Sequence, residues 1–264
     1  MNQESGIHFH RPVAFALGAI ALTLGVLLHL PDFFSMSRMG YRMVGMPMSN
    51  MMMAGMWLIV GGMLLATWGV LPPPERASRR RDAVGYHLHV MDSAHLTGAH
   101  WGLLFVLGVA LVIDVMKPAT LGFVIPGMVA EYRIPQSESG WLLVCALTGT
   151  AVGSVFWGVM ADRVGRRAAI LLASLMFIGT SICGTMPSYA LNLFMCFLMG
   201  IAAGGMLPIV YALMAESVPA GPRGWLVVLH GGMGTVGGTL AAAGCAVLLE
   251  PTFSWRALWL MNHA

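Results

Sequence analysis

Charged residues are scarce in this sequence. Only 9% of the 264 residues are Asp, Glu, Lys or Arg, and Lys117 is the only lysine. Because a soluble domain carries about 25% charged residues, this composition excludes an ordinary soluble protein. The net charge of +3 is small, and the basic residues are spread over several loops. This distribution excludes a basic surface for nucleic acid.

The motifs of catalysis are missing as well. The sequence contains no Gly-rich phosphate loop, no nucleophile elbow and no metal-hydrolase helix motif. Its few charges cannot build an acid–base site outside Asp114 and Lys117. The four cysteines lie in or beside apolar runs and are not spaced as a disulfide framework or a zinc site. We therefore expect neither an enzyme nor a bound cofactor.

Long apolar runs dominate what is present. Hydrophobic residues make up 58% of the chain and the mean hydropathy is +0.78. Crossing about 30 Å of hydrocarbon takes about 20 such residues in a helix. Seven runs are long enough, and an eighth begins near Arg256: residues 12–30, 51–71, 100–125, 140–160, 168–186, 191–214 and 225–249. The sequence predicts an all-α polytopic protein in a lipid bilayer.

The arginines predict its orientation. With a cytoplasmic N-terminus, nine arginines fall inside: Arg11, Arg76, Arg79, Arg80, Arg81, Arg163, Arg166, Arg167 and Arg223. Four fall outside: Arg38, Arg42, Arg133 and Arg256. This imbalance follows the positive-inside rule. We expect a multi-pass protein of the inner (plasma) membrane with its N-terminus in the cytoplasm.

A polar stretch divides the chain into three parts. Residues 1–74 form a predicted two-span hairpin with a methionine-rich loop, and residues 75–99 form a basic cytoplasmic linker that follows three prolines. Residues 100–264 hold five complete spans and the start of a sixth.

The loop after the fourth span carries the most specific motif. It reads Gly158-Val-Met-Ala-Asp162-Arg163-Val-Gly165-Arg166-Arg167. This is similar to the Gly-x-x-x-Asp-Arg-x-Gly-Arg-Arg loop between the second and third helices of major facilitator transporters. A second block, Glu216-Ser-Val-Pro-Ala-Gly-Pro-Arg223-Gly, resembles the Glu-x-x-Pro-x-x-x-Arg-Gly signature of sugar porters and of aromatic-acid/proton symporters. The resemblance implies a six-helix bundle, MFS-type, preceded here by an extra hairpin, with alternating access gated by charges in these two blocks.

Two charges interrupt the third span. A charge at the bilayer centre costs about 2.5–3.5 kcal/mol on insertion scales, so it normally pairs or faces a cavity. Asp114 and Lys117 are three residues apart and can meet on one helix face. In the aromatic-acid branch, the helix that this span resembles carries two acidic residues. Asp114 occupies the first of these positions, whereas Lys117 replaces the second acidic residue. Our hypothesis is that Asp114 carries a proton, while Lys117 pairs with it or binds an anionic solute; a static ion pair is the alternative.

Three further residues are candidates for the solute cavity. Thr120 and Tyr211 are polar residues in apolar spans, and His230 can relay protons or contact solute. The alternative for His230 is a hydrogen-bonded position inside the bundle. Cys196 stands where the family has an arginine often linked to proton coupling. This position therefore gives no support for proton coupling in this chain.

The methionine-rich loop suggests a second function. Thioethers are soft ligands suited to Cu(I), and the loop contains Met36, Met39, Met43 and Met46. A copper-binding membrane protein or metal importer is therefore the alternative, although methionine also fills irregular apolar packing.

The sequence thus predicts a secondary transporter of a small organic solute, coupled to an ion, for which a proton is expected. Only one six-helix bundle is present, and alternating access uses two. The chain is then a fragment, a prematurely ended product, or a half-transporter that pairs with a second six-helix half or with its own copy. The solute and the direction of transport stay open.

Overall fold

The computed structural model describes residues 10–71 and 96–261, so the arginines of the basic linker lie outside the described residues. The predicted all-α class is confirmed, since these residues contain helices and no strand. Seven helical segments within them are long and apolar enough to cross a bilayer. The α-helices are α1 (Pro12–Leu27), α2 (Leu30–Ser35), α3 (Asn50–Val70), α4 (Gly98–Tyr132), α5 (Gln136–Val164), α6 (Arg166–Gly179), α7 (Tyr189–Ser217) and α8 (Ala220–Met261).

Helices α1 and α3 form an antiparallel hairpin packed through glycines one heptad apart. Gly18 on α1 lies against Gly62 of α3, and Gly25 lies against Gly55. Gly69 of α3 packs against another residue of α1. A methyl group built at Gly62 would lie only 2.6 Å from the carbonyl oxygen of Gly18. Lipid tails are as apolar as leucine, so helices associate in membranes through such close backbone approach. The glycine spacing therefore explains why these two helices pair.

The same device joins α5 to α7. Gly149 and Gly153 on α5 pack against Gly200 and Gly204 on α7, two Gly-x-x-x-Gly pairs in register. A methyl group at Gly200 would lie 2.9 Å from the backbone nitrogen of Thr150. Helix α8 approaches α4 in a similar way, through Gly234, Gly237 and Gly238.

Helix α6 lies at the centre of the described helices. Its span is 72% buried, against 22–28% for the spans of α1, α3, α4, α5 and α8. The α-helix ends at Gly179 and continues as a buried 3₁₀ helix, Thr180–Thr185. The hairpin covers one face at this point, since Ile59 and Leu22 pack against Gly179.

The last helix is interrupted near its end. Ser254 has φ of 69°, which is non-helical and separates a long first segment from residues 255–261. The Trp255 ring packs against Gly127 of α4, so the chain after the kink lies against the bundle. The kink lies where the eighth apolar run was predicted to begin; the division into three parts stays a prediction.

Candidate functional site

Asp114 lies at the middle of the 35-residue helix α4. Its side chain is 3% exposed, and its Oδ1 atom has no hydrogen-bond partner among the described residues. Pro118, four residues further on, has no N–H to donate to the Asp114 carbonyl. The helix therefore presents an incompletely satisfied polar position in an apolar environment.

Lys117 is fully buried and points at α6 rather than at Asp114. Its ammonium donates to the Phe177 carbonyl at 2.5 Å and to the Thr180 hydroxyl at 2.9 Å. It also lies 3.3 Å from the centroid of the Phe177 ring, a cation–π contact. The α-helix ends two residues after Phe177, and the helix end leaves carbonyls without intrahelical donors. The two side chains make no ion pair within 4 Å.

Thr120 is buried on the same helix, and its hydroxyl donates to the Met116 carbonyl at 2.7 Å. Asp114, Lys117 and Thr120 thus lie within two helical turns near the middle of α4. We call these three residues the midplane group.

His230 and Tyr211 lie elsewhere. The His230 Nε2 atom is 2.9 Å from the Leu104 carbonyl on α4, and its Nδ1 atom is 2.9 Å from the Leu226 carbonyl. Leu104 precedes Asp114 by ten residues, or about 15 Å along a helix. The Tyr211 hydroxyl packs against Gly231 at the same level. The structure therefore separates these two candidates from the midplane group.

The charged loop between α5 and α6 brings three helices together. Arg166 Nη1 lies 2.9 Å from Asp162 Oδ1, and its Nε lies 3.3 Å from Glu216 Oε1 at the end of α7. Gly165 makes the tight turn, with φ of 99°. Only a residue without a Cβ adopts that backbone angle readily. We call the end of the molecule that holds this charge network the Asp162 end.

The remaining residues of the two blocks are placed differently. The Arg223 guanidinium donates to the Val218 carbonyl at 2.9 and 3.1 Å. Arg163 and Arg167 are exposed, and a methyl group built at Gly158 would meet nothing within 4 Å. The role of these residues in gating stays a prediction.

The opposite end holds a buried charge cluster that the sequence did not single out. Arg256 Nη2 lies 2.9 Å from Glu131 Oε1, with side-chain exposures of 0% and 8%. Arg256 Nη1 donates to the carbonyls of Gly184 and Met186 at 2.9 and 3.1 Å. The sequence contains one signal of this cluster, because both charged residues follow apolar runs on the side of the membrane that is predicted to have few arginines. We call the end of the molecule that holds this cluster the Glu131 end.

Nothing among the described residues supports the metal alternative. Met43 is buried in an apolar cluster with Phe33, Met52 and Ala257, whereas Met39 is 69% exposed. Met36 packs against that cluster and Met46 is partly exposed. Within the described ranges, no group of three or more His, Cys, Asp or Glu side chains could hold an ion. The four methionines therefore lie in different environments, two of them in or against an apolar cluster and two at the surface.

Comparison with known proteins agrees with the motifs. The sequence model of the family described as Major Facilitator Superfamily matches residues 103–263. The chain is 31% identical to the niacin transporter NiaP of Acinetobacter baylyi over 164 residues, 62% of this chain and 37% of that protein. It is 33% identical to human synaptic vesicle glycoprotein 2C over 190 residues, 70% of this chain and 25% of that protein. A putative niacin/nicotinamide transporter of Bacillus subtilis is 32% identical over 161 residues, 61% and 40%. The chain thus spans two fifths or less of these relatives.

Proposed function

Because this chain belongs to the major facilitator superfamily, we propose that it forms the N-terminal half of a secondary transporter that moves a small organic solute by alternating access. The family match and the relatives named as transporters indicate a transporter rather than an enzyme. Alternating access rocks two bundles about a midplane site. The second six-helix bundle comes from the remainder of a longer product, from a separate chain or from a second copy. The protein resides in the plasma membrane with the Asp162 end in the cytoplasm.

Asp114 is the proposed proton carrier. The observation that carries this assignment is its buried Oδ1 atom, which has no partner among the described residues. An ionised carboxylate without partners is costly in an apolar interior, whereas a protonated carboxyl is less so. In the complete transporter, the second bundle and the water-filled cavity would let this group release its proton on one side and take it up on the other.

Lys117 has a different role in this proposal. Its ammonium makes two hydrogen bonds and one ring contact with α6 and the 3₁₀ helix that follows it. The side chain therefore fixes α4 against α6 and leaves the solute to other groups. By holding that helix, Lys117 keeps Asp114 at its level in the membrane.

Niacin is the first solute to test. Two curated relatives are named as niacin transporters, and niacin is a small pyridine carboxylate. A carboxylate solute that travels with a proton makes no net charge movement, which suits a carrier with a single acidic group. Thr120 and Tyr211 are the proposed hydrogen-bonding residues of the solute pathway.

The test compares two carboxylate variants in the complete transporter. Cells or proteoliposomes that carry it are given radiolabelled niacin with and without an inward proton gradient. Asp114→Asn should lower gradient-driven accumulation at least tenfold and leave solute exchange without a gradient measurable. Glu250→Gln, at an exposed position of α8, is the matched control and should accumulate niacin normally. Unchanged accumulation by Asp114→Asn would remove Asp114 from the coupling mechanism.

The charge network at the Asp162 end is the proposed latch of one conformation. Arg166 joins α5, α6 and α7 through two carboxylates. Weakening this network should shift the distribution between inward-open and outward-open states rather than remove solute binding.

A further inference from the structure

The hairpin lies outside the residues that the family model matches, yet it is packed against the bundle at two levels. The first contact is at the break in α6. A methyl group built at Gly179 would lie 3.1 Å from Ile59 Cγ2 and 3.7 Å from Leu22 Cδ1. Both hairpin helices therefore reach the point at which α6 changes to a 3₁₀ helix.

The second contact is made by the loop between the hairpin helices. The Gly45 N–H donates to the Pro187 carbonyl at 3.2 Å, which joins the loop to the connection between α6 and α7. Phe33, Met43 and Met52 form one buried cluster with Ala257, from the segment after the kink. The loop therefore packs against the Glu131 end.

The charge cluster at this end is built around the same loop. The Met43 N–H donates to Glu131 Oε1 at 3.0 Å, and the indole of Trp255 donates to Oε2 at 2.9 Å. Arg256 contacts both carboxylate oxygens, through Nε at 3.1 and 3.2 Å and Nη2 at 2.9 Å. Its third nitrogen reaches the Gly184 and Met186 carbonyls. One arginine thus links the carboxylate that holds the hairpin loop to the connection after α6.

We propose that Arg256 is a positioning residue that fastens the hairpin loop to the transporter bundle through Glu131, so that the hairpin and the bundle move as one rigid unit. The planar guanidinium is needed because it offers donors in several fixed directions, which a lysine ammonium on a flexible chain does not. Removal of Arg256 leaves a buried carboxylate with two neutral donors and leaves two carbonyls without their cation. This inference does not depend on which solute is carried or on proton coupling.

Hydrogen exchange measured by mass spectrometry on the full chain in nanodiscs tests the fastening. The amides of Met43 and Gly45 should be protected in the unmodified protein, because both donate to the bundle. Arg256→Met should speed their exchange at least tenfold, and Arg256→Lys should restore only part of the protection. Arg133→Met, an exposed arginine at the same end, is the control and should leave the loop protected. Loop exchange unchanged by Arg256→Met would overturn the proposal.

A second measurement needs no change at Arg256. The four native cysteines are replaced by alanine, Ile59→Cys and Gly179→Cys are introduced, and a protease site is placed at residues 75–95, within the predicted linker. A Cβ atom built at Gly179 lies 3.1 Å from Ile59 Cγ2, so these two positions are close enough for a disulfide, whose Cβ atoms are about 3.8 Å apart. After mild oxidation and cleavage, the hairpin and bundle should migrate as one band that separates on reduction. Two bands without reduction would mean that the hairpin is only a tethered anchor, which contradicts the proposal.

Discussion

Different interactions stabilise the hairpin and the bundle. Between α1 and α3, glycines spaced by seven bring the backbones into contact, and the polar side chains lie mainly near the helix ends. The bundle uses the same glycine contacts but also buries Asp114, Lys117, Asn192 and His230 within its helices. Buried polar groups are costly in a membrane and are kept where they serve a purpose. The comparison teaches that close contact of glycine backbones accounts for the pairing of the hairpin helices, whereas the bundle also joins its helices through buried polar side chains, as Lys117 and His230 do.

The largest effect on stability is expected where two bundle helices touch through glycine. Gly200→Leu should prevent folding or destabilise the protein by 3 kcal/mol or more, since overpacking costs about 1–3 kcal/mol even where neighbours can shift. Here the neighbours are backbone atoms of Ala146 and Thr150. Size-exclusion chromatography with thermal unfolding measures the loss. Gly158→Leu, which meets open space, should keep its midpoint; equal damage in both variants would refute the packing argument.

A smaller effect is expected at Lys117. Lys117→Met nearly keeps the length of the side chain but removes the ammonium that donates to the Phe177 carbonyl and the Thr180 hydroxyl. The loss of a buried hydrogen bond from a charged donor costs about 1.5–3 kcal/mol. Thermal unfolding should show this loss, and the apparent affinity for solute should change less than twofold because Lys117 faces α6. A loss of solute affinity of tenfold or more at unchanged stability would instead assign Lys117 to the solute site.

One substitution should loosen the contact between the two hairpin helices. Gly62→Leu places a side chain against the Gly18 carbonyl and should push α1 from α3. Gly61→Leu, at an exposed position of the same helix, meets nothing within 4 Å. We expect a lower unfolding midpoint for the first variant alone, together with faster hydrogen exchange confined to α1 and α3. Faster exchange throughout α5 and α7 as well would show that the two regions fold as one cooperative unit.

The smallest effect on stability is expected at the Asp162 end. The carboxylates of Asp162 and Glu216 are 68% and 52% exposed, and exposed ion pairs contribute about 0.2–1 kcal/mol. Arg166→Ala should therefore change the unfolding free energy by less than about 1 kcal/mol while altering accessibility of the cavity to thiol reagents. Arg133→Ala, at an exposed arginine outside the two blocks, serves as the control. A destabilisation as large as that of Gly200→Leu would mean that the network is structural.

Much of this fold could be predicted from the sequence, for a physical reason. Apolar runs of about 20 residues report the bilayer thickness directly. The motif at Asp162 is local, so its turn at Gly165 and the Asp162–Arg166 pair follow from neighbouring residues, whereas the contact with Glu216 was expected only from the family resemblance. The partner of Lys117 could not be predicted, because the Phe177 carbonyl becomes an acceptor only where α6 ends. Glu131 and Arg256 are 125 residues apart, and no spacing in the sequence brings such residues together.

The direct test of the account is proton-driven solute uptake by the complete transporter with and without the Asp114 carboxyl group. Uptake of labelled niacin and internal pH are followed together in proteoliposomes. We expect the unmodified protein to acidify the lumen as niacin enters, and Asp114→Asn to abolish both the acidification and the accumulation while exchange of solute persists. Acidification and accumulation that continue at normal rates in Asp114→Asn would contradict it.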